Sequence, residues 1–216
     1  MGRLHPPTPE SALKADDATA TSLATRRAWQ YRSMATEILT PRLRLRDWRV
    51  DDLESLAEVF AKPEVWHFPF RRGFSRSETE TFLLRRIAEQ GSRGWTTWAA
   101  EDRGTGGLIG YIGLTEPNFL PEVMPSVEIG WRLDPLAWGR GLATEGAKAA
   151  LAFGFEDLRL GDVVSICEPD NVSSSRVMER LGMQFDRATV DPVRGVPLSI
   201  YRLERAEWET SLALAK

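Results

Sequence analysis

The sequence predicts an α+β fold: a mixed, mostly antiparallel central sheet with flanking helices. Two observations predict it. In the first half, apolar runs flank the short Gly-rich turn Arg103-Gly104-Thr105-Gly106-Gly107, the mark of an antiparallel hairpin. In the second half, an apolar run from Val127, a helical stretch to about Asp157 and an apolar run from Asp162 to Cys167 follow one another. A crossover helix of that kind makes its two strands locally parallel. A length of 216 residues suits one domain plus an extension.

The elements follow in order. Residues 1–36 are rich in Ala, Thr, Ser and Pro and cannot bury enough apolar surface to offset ordering entropy, so they read as a mobile amino-terminal extension. Within it, Leu23 to Met34 has the makings of a short helix, and Met34 is an alternative native start. Residues 37–210 read as a single domain. Arg42 to Arg46 alternates strictly and reads as an edge-facing strand. Asp51 to Ala61 places Leu53, Leu56, Ala57 and Phe60 at helical spacing, and Pro63 stops it. Ser75-Arg76-Ser77-Glu78 is a capping-box signature opening a helix to about Gln90, ended by Gly91 and Gly94. Trp95 to Ala100 and Leu108 to Thr115 are the hairpin strands. A Pro-containing loop leads to the strand carrying Glu128. A long helix from Gly141, the strand Asp162 to Cys167, a helix Val172 to Leu181, a short strand from Met183 and a last strand Ser199 to Leu203 complete the chain.

The densest chemical signal is Trp138-Gly139-Arg140-Gly141-Leu142-Ala143-Thr144-Glu145. It lies between a strand and a helix. First-turn N–H groups of a helix have no intrahelical partner, and the helix dipole adds positive character there. Glycines remove the side chains that would keep a phosphate away. The segment therefore reads as a pyrophosphate cradle, with a plain helix N-terminus as the bland alternative. A second segment, Asn171-Val172-Ser173-Ser174-Ser175-Arg176-Val177-Met178-Glu179-Arg180-Leu181-Gly182, follows the apolar run ending at Cys167.

Together these two segments resemble the GNAT superfamily of acetyl-CoA-dependent N-acetyltransferases, and most of all the branch of ribosomal-protein N-terminal acetyltransferases. The likeness runs from about Leu39 to Trp208. It implies a sheet whose strands at Glu128 and Ser165 splay apart, with the pantetheine arm of acetyl-CoA in the gap. It places cofactor contacts at Trp131, Leu133, Trp138, Gly139, Arg140, Gly141, Leu142, Ala143, Thr144, Asn171 and Ser174. Trp138 stands where the common loop begins with Gln or Arg, which matters little if the loop works through its backbone.

Amide formation needs a neutral amine, a stabilised oxyanion and a protonated leaving thiolate. Glu128 is the candidate general base; a solvated or paired strand glutamate is the alternative. Many family members carry a tyrosine where this chain has Met178, and a thioether cannot donate a proton. Ser174 is then the candidate general acid, with water or bulk solvent as rivals and helix capping as the structural alternative. Asn171 reads as the N-cap, and the likeness adds a contact to the pantetheine arm or an active-site water. Cys167 reads as a small buried hydrophobe. The family's acceptor region falls on Trp66, His67 and Phe70. His67 is a second candidate for proton removal, with a surface or packing histidine as the favoured alternative, and Trp66 is equally a core residue.

Bulk properties exclude other classes. A net charge of −3 gives no electrostatic case for nucleic acid. One cysteine fits a reducing compartment, and two histidines leave little for a metal site. No run suits a membrane span or a signal peptide, so the expected location is cytoplasmic. The expected activity is direct acetyl transfer from acetyl-CoA to a primary amine, on a protein N-terminus or a small molecule, with no metal. A longer donor such as succinyl-CoA is an alternative, given Arg71 and Arg72. A sensor that binds acyl-CoA without turnover is another. A P-loop enzyme lacks its Gly-Lys-Ser/Thr ending. Oligomeric state, including a homodimer, is left open.

Overall fold

The structure is a computed structural model, and it describes residues 37–214. The expected extension over residues 1–36 lies outside them. The sheet has eight strands in the order β1-β2-β3-β4-β5-β6-β8-β7: β1 (Ile38–Leu39), β2 (Leu43–Arg46), β3 (Thr97–Asp102), β4 (Leu108–Thr115), β5 (Val127–Leu133), β6 (Asp162–Cys167), β7 (Gln184–Val190) and β8 (Pro197–Glu204). All neighbours pair antiparallel except β5 and β6, which are parallel. This is the expected α+β arrangement.

The helices are α1 (Leu53–Phe60), the short turn α2 (His67–Phe70), α3 (Arg76–Arg93), α4 (Leu142–Ala152), α5 (Val172–Arg180) and α6 (Arg205–Leu214). Alternation along the strands assigns α1 and α3 to one face of the sheet and α4 to the other. On the first face, Tyr111 of β4 packs on Phe60 and Phe82, and Thr115 accepts a hydrogen bond from Arg86 of α3. Trp48, Leu56, Phe60, Trp66 and Leu83 form a buried cluster there. On the second face, Ile112 and Leu43 lie against Gly146 of α4, where a Cβ would meet Ile112 Cδ1 at 2.4 Å.

Several elements differ from the sequence reading, each for a physical reason. The strand beginning at Arg42 is not at the edge, because Ile38–Leu39 adds a strand outside it. Its alternating arginines look solvent-facing, but Arg46 is buried at 6% exposure and bonds both Asp52 and Glu101. The helix opened by Ser75 has the expected capping box, yet runs through Gly91 to Arg93. It ends only at Gly94, whose φ of 78° makes the left-handed C-cap. After Ala152 the long helix widens into a π turn, Phe153–Asp157. β7 is longer than expected. α6 was not anticipated, since little beyond Trp208, packed on Phe155, is buried in it.

The Arg46 cluster carries a stability prediction. Hydrogen bonding to Asp52 above all holds the guanidinium charge in place, against the opposing cost of burial. Arg46→Ala would leave two carboxylates without their shared cation and should cost about 3–5 kcal/mol. Urea unfolding of the variant checks this; an unchanged midpoint would contradict it.

Candidate active site

The site begins where the parallel pair comes apart. β5 and β6 share only two registered pairs, Val127 with Val163 and Glu128 with Val164. Beyond them the backbones diverge, and side chains take over the hydrogen bonding that a ladder would supply. Ser165 Oγ donates to the Ile129 carbonyl at 2.9 Å, and the Ile166 backbone bonds the Glu128 carboxylate. Ser165, the one polar residue in an otherwise apolar strand core, is therefore explained by the fork.

Glu128 stands at that fork on the α1/α3 face, opposite Thr115. The residue is half-buried, but its carboxyl lies deep enough that loss of hydration dominates. Burial pushes its pKa up to about 7, against the attraction of Arg132 and Arg86 and the bond from Ile166. Next on the same face is Gly130, where an added Cβ would meet nothing within 4 Å. Open space thus lies beside the strand two residues beyond Glu128. Beyond it, Arg132 is fixed by Nη1 donating to the Val65 carbonyl at 2.9 Å, with its guanidinium 4.1 Å from the centre of the Trp66 ring.

Alternation sends Trp131 and Leu133 to the α4 face, Trp131 beside Ile112 in register. There the Trp138–Thr144 loop enters α4. Gly139 and Gly141 have φ of 69° and 76°, a region in which other residues are strained. Gly141 is the N-cap and offers no side-chain cap, leaving the first-turn N–H groups to an outside acceptor. Glycine is required here by conformation more than by space, since the nearest atom to a Gly141 Cβ is Arg42 Nη2 at 3.7 Å.

The loop is clamped from beneath. Glu145 accepts from Thr40 Oγ1 at 2.6 Å, Arg42 N at 2.8 Å and Arg42 Nε at 2.6 Å. Although burial opposes ionisation, these bonds hold its carboxyl below the usual range. Arg42 Nη1 also donates to the Arg140 carbonyl at 2.8 Å, and Arg140 pairs with Asp102 at 2.9 Å. Trp138 is half-exposed, its Nε1 bonded to the Leu133 carbonyl at 2.8 Å. Leu142 is buried, whereas Ala143 and Thr144 are half-buried at the loop surface.

Asn171 is the N-cap of α5, its Oδ1 accepting from Ser174 N and Ser173 Oγ. Ser174 is half-buried in the first turn of α5, which touches α4. Met178 is fully buried. Cys167 is buried too, and desolvation, with the charges of Glu128 and Glu168, raises its thiol to about 11. A thiol so disposed is a poor nucleophile, in keeping with the expected packing role.

The segment expected to meet the acceptor divides in two. Trp66 is a core residue, 5% exposed and stacked on Phe74 at 3.8 Å. Its ring is held within the aromatic cluster of Phe60, Phe74 and Phe82. His67 and Phe70 are exposed, and the Arg194 guanidinium from the β7–β8 loop comes within 5.9 Å of the Phe70 ring centre. Arg71 and Arg72 are already paired, Arg71 with Glu168 at 2.6 Å and Arg72 with Glu78 at 2.5 Å. The guanidinium groups that suggested a longer dicarboxylic acyl donor are thus occupied. Sequence reasoning did not single out Glu168, Arg132, Arg42 or Glu145. The first two sit outside both motifs, whereas Glu145 closes the glycine loop and was within reach.

A mixed sheet forked at one parallel pair, with an uncapped Gly-rich helix start beside the fork, is the arrangement expected of an acetyltransferase fold. Residues 42–184 match the family described as acetyltransferase (GNAT) domain, and the chain belongs to that family. A Bacillus subtilis (strain 168) protein, uncharacterized protein YkkB, is 31% identical over 153 residues, covering 70% of this chain and 87% of its own. The crystal structure of an acetyltransferase from Agrobacterium tumefaciens str. C58 is 28% identical, with a TM-score of 0.66 over 81% of this chain and 96% of its own. RimL, a ribosomal L7/L12 α-N-protein acetyltransferase solved in complex with coenzyme A, shares the fold at 16% identity, with a TM-score of 0.64 over 78% of this chain and 98% of its own. Among the described residues no helix is long and apolar enough to cross a membrane, and no cluster of side chains suits a metal ion.

Proposed function

We propose that this protein transfers the acetyl group of acetyl-CoA to a primary amine, directly, within a ternary complex. The observation that carries the reading is Glu128: a carboxylate with a pKa of about 7, at the fork of the parallel pair and two residues before the open position of Gly130. A group that titrates near neutrality is suited to general base work. The pyrophosphate would rest on the Gly139–Thr144 backbone, and the pantetheine arm would run past Trp131, Leu133 and Asn171 into the fork.

Glu128 lies on the α1/α3 face and α5 is in contact with α4, so the two ends of the reaction fall on opposite faces. The amine approaches from the Glu128 side. Its nitrogen attacks the thioester carbonyl, the C–N bond forms and the amine proton passes to Glu128, directly or through water. The C–S bond then breaks, and the thiolate takes a proton from Ser174 or solvent. A thiol pKa of roughly 8.5 makes that last assistance modest. Within the branch likeness the acceptor is a protein N-terminus or a small-molecule amine. Acetyl is favoured over succinyl, because Arg71 and Arg72 are spent on internal ion pairs.

Initial rates with both substrates varied test the direct transfer. Intersecting double-reciprocal lines are expected. Parallel lines, the mark of a covalent acetyl-enzyme, would overturn it.

A further inference from the structure

Glu168 follows β6 directly and is 9% exposed. Its Oε2 accepts from Arg71 Nη2 at 2.6 Å, while Oε1 is shielded from solvent with no hydrogen-bond partner among the described residues. A buried carboxylate oxygen without a donor is costly, and native structures seldom leave one without a use. Strand alternation puts Val164 and Ile166 on the face that bears Glu128, and Arg71, from the acceptor segment on that face, reaches Glu168 just past the strand end. Both carboxylates also act electrostatically on Cys167, the last residue of β6.

We propose that Glu168 is the anchor for the acceptor's ammonium group: its free Oε1 receives an N–H of the incoming cation while Arg71 fixes Oε2. The inference rests on the amine-acetylating reading above and adds how the amine is chosen. A primary amine with a pKa of roughly 8 to 10.4 arrives charged at neutral pH. It needs a negative partner for capture, loss of one proton to solvent to free its lone pair, and a separate group to take the second proton as the C–N bond forms. Glu168, paired with a permanent guanidinium, supplies the first; Glu128 supplies the last. Arg71 has a further hold, its guanidinium 4.5 Å from the Phe68 ring centre, so the carboxylate is presented from a braced segment. The acceptor class this selects is a cationic primary amine. A neutral aromatic amine or a hydroxyl could donate to Oε1 but would bring no positive charge, and so would be held more weakly.

The test compares Glu168→Gln, Arg71→Ala and the double variant with the parent protein, using the best acceptor from a panel of primary amines and unblocked peptides. For Glu168→Gln the amine KM is expected to rise at least about tenfold, as for loss of a hydrogen bond to a charged group, with kcat and acetyl-CoA affinity nearly unchanged. The KM penalty should shrink as pH passes the pKa of the amine. It should also persist on the Arg71→Ala background. If Arg71→Ala alone reproduces the defect and the double variant is no worse, Glu168 is only a structural tether for the 66–74 segment and the proposal is overturned. An unchanged KM overturns it as well. Should no amine turn over in the parent protein, the same panel is titrated calorimetrically into the protein with coenzyme A. Binding lost in Glu168→Gln then sustains the anchor although the transfer reading has failed; no binding by any amine overturns it.

Discussion

Glu128→Gln is expected to lower kcat roughly 10²-fold while leaving acetyl-CoA affinity nearly intact, as befits loss of a general base. In the parent enzyme the rate should fall as pH drops through about 7, because the base must be ionised and burial holds its pKa there. The variant should lose that acidic limb and recover partly at high pH, where the amine deprotonates itself. Stability should move the other way. The carboxyl titrates near 4.3 in an unfolded chain and near 7 in the folded one. Between those values the folded protein binds more protons, so stability falls as pH rises through this window, and the whole penalty is present above it. Gln avoids the penalty and should stabilise the protein at pH 8 by up to ~4 kcal/mol, less what is lost with Arg132 and Ile166. The gain should vanish below about pH 4. Near-normal turnover across the pH range would remove Glu128 from the mechanism and leave water or His67 as the base. A mere structural glutamate would give a variant with no such crossing of activity and stability.

Gly141→Val is expected to raise the acetyl-CoA dissociation constant at least tenfold in a protein that still folds. A β-branched residue at φ 76° is strained by roughly 1–3 kcal/mol, and the loop would relieve this by turning its backbone. The first-turn N–H groups of α4 would then no longer converge on a phosphate. Steric conflict within the protein is not the cause, since a Cβ has room. Gly141→Ala should therefore weaken binding too, though less. Calorimetric titration decides the matter: unchanged affinity in a folded Gly141→Val protein would rule out this cradle.

The sequence disclosed what depends on local chemistry. Ser75 and Glu78 announced their capping box, Asn171 its N-cap, and Gly139 and Gly141 the loop before α4. Apolar runs gave β4 and β6 to the residue. What stayed hidden depends on partners distant in the chain. Nothing local to Arg46 tells that Asp52 and Glu101 will neutralise it inside the protein, so the strand looked like an edge. Nothing near Trp66 tells that Phe74 will cover it. Glu168 precedes Pro169 in what reads as a loop, and only the fold brings Arg71 to one of its oxygens and leaves the other unmet. The fork itself is implied by family likeness, and the bond by which Ser165 bridges it to Ile129 emerges only from the paired strands.

The most direct measurement is release of coenzyme A by the purified protein, given acetyl-CoA and a panel of primary amines and unblocked peptides, with the product mass read in parallel. The account predicts one coenzyme A released for each acetyl group gained by an amine, abolished with N-blocked acceptors and reduced roughly 10²-fold by Glu128→Gln. Tight acetyl-CoA binding with no release above the uncatalysed rate for any acceptor would contradict it, and would make the protein an acyl-CoA sensor.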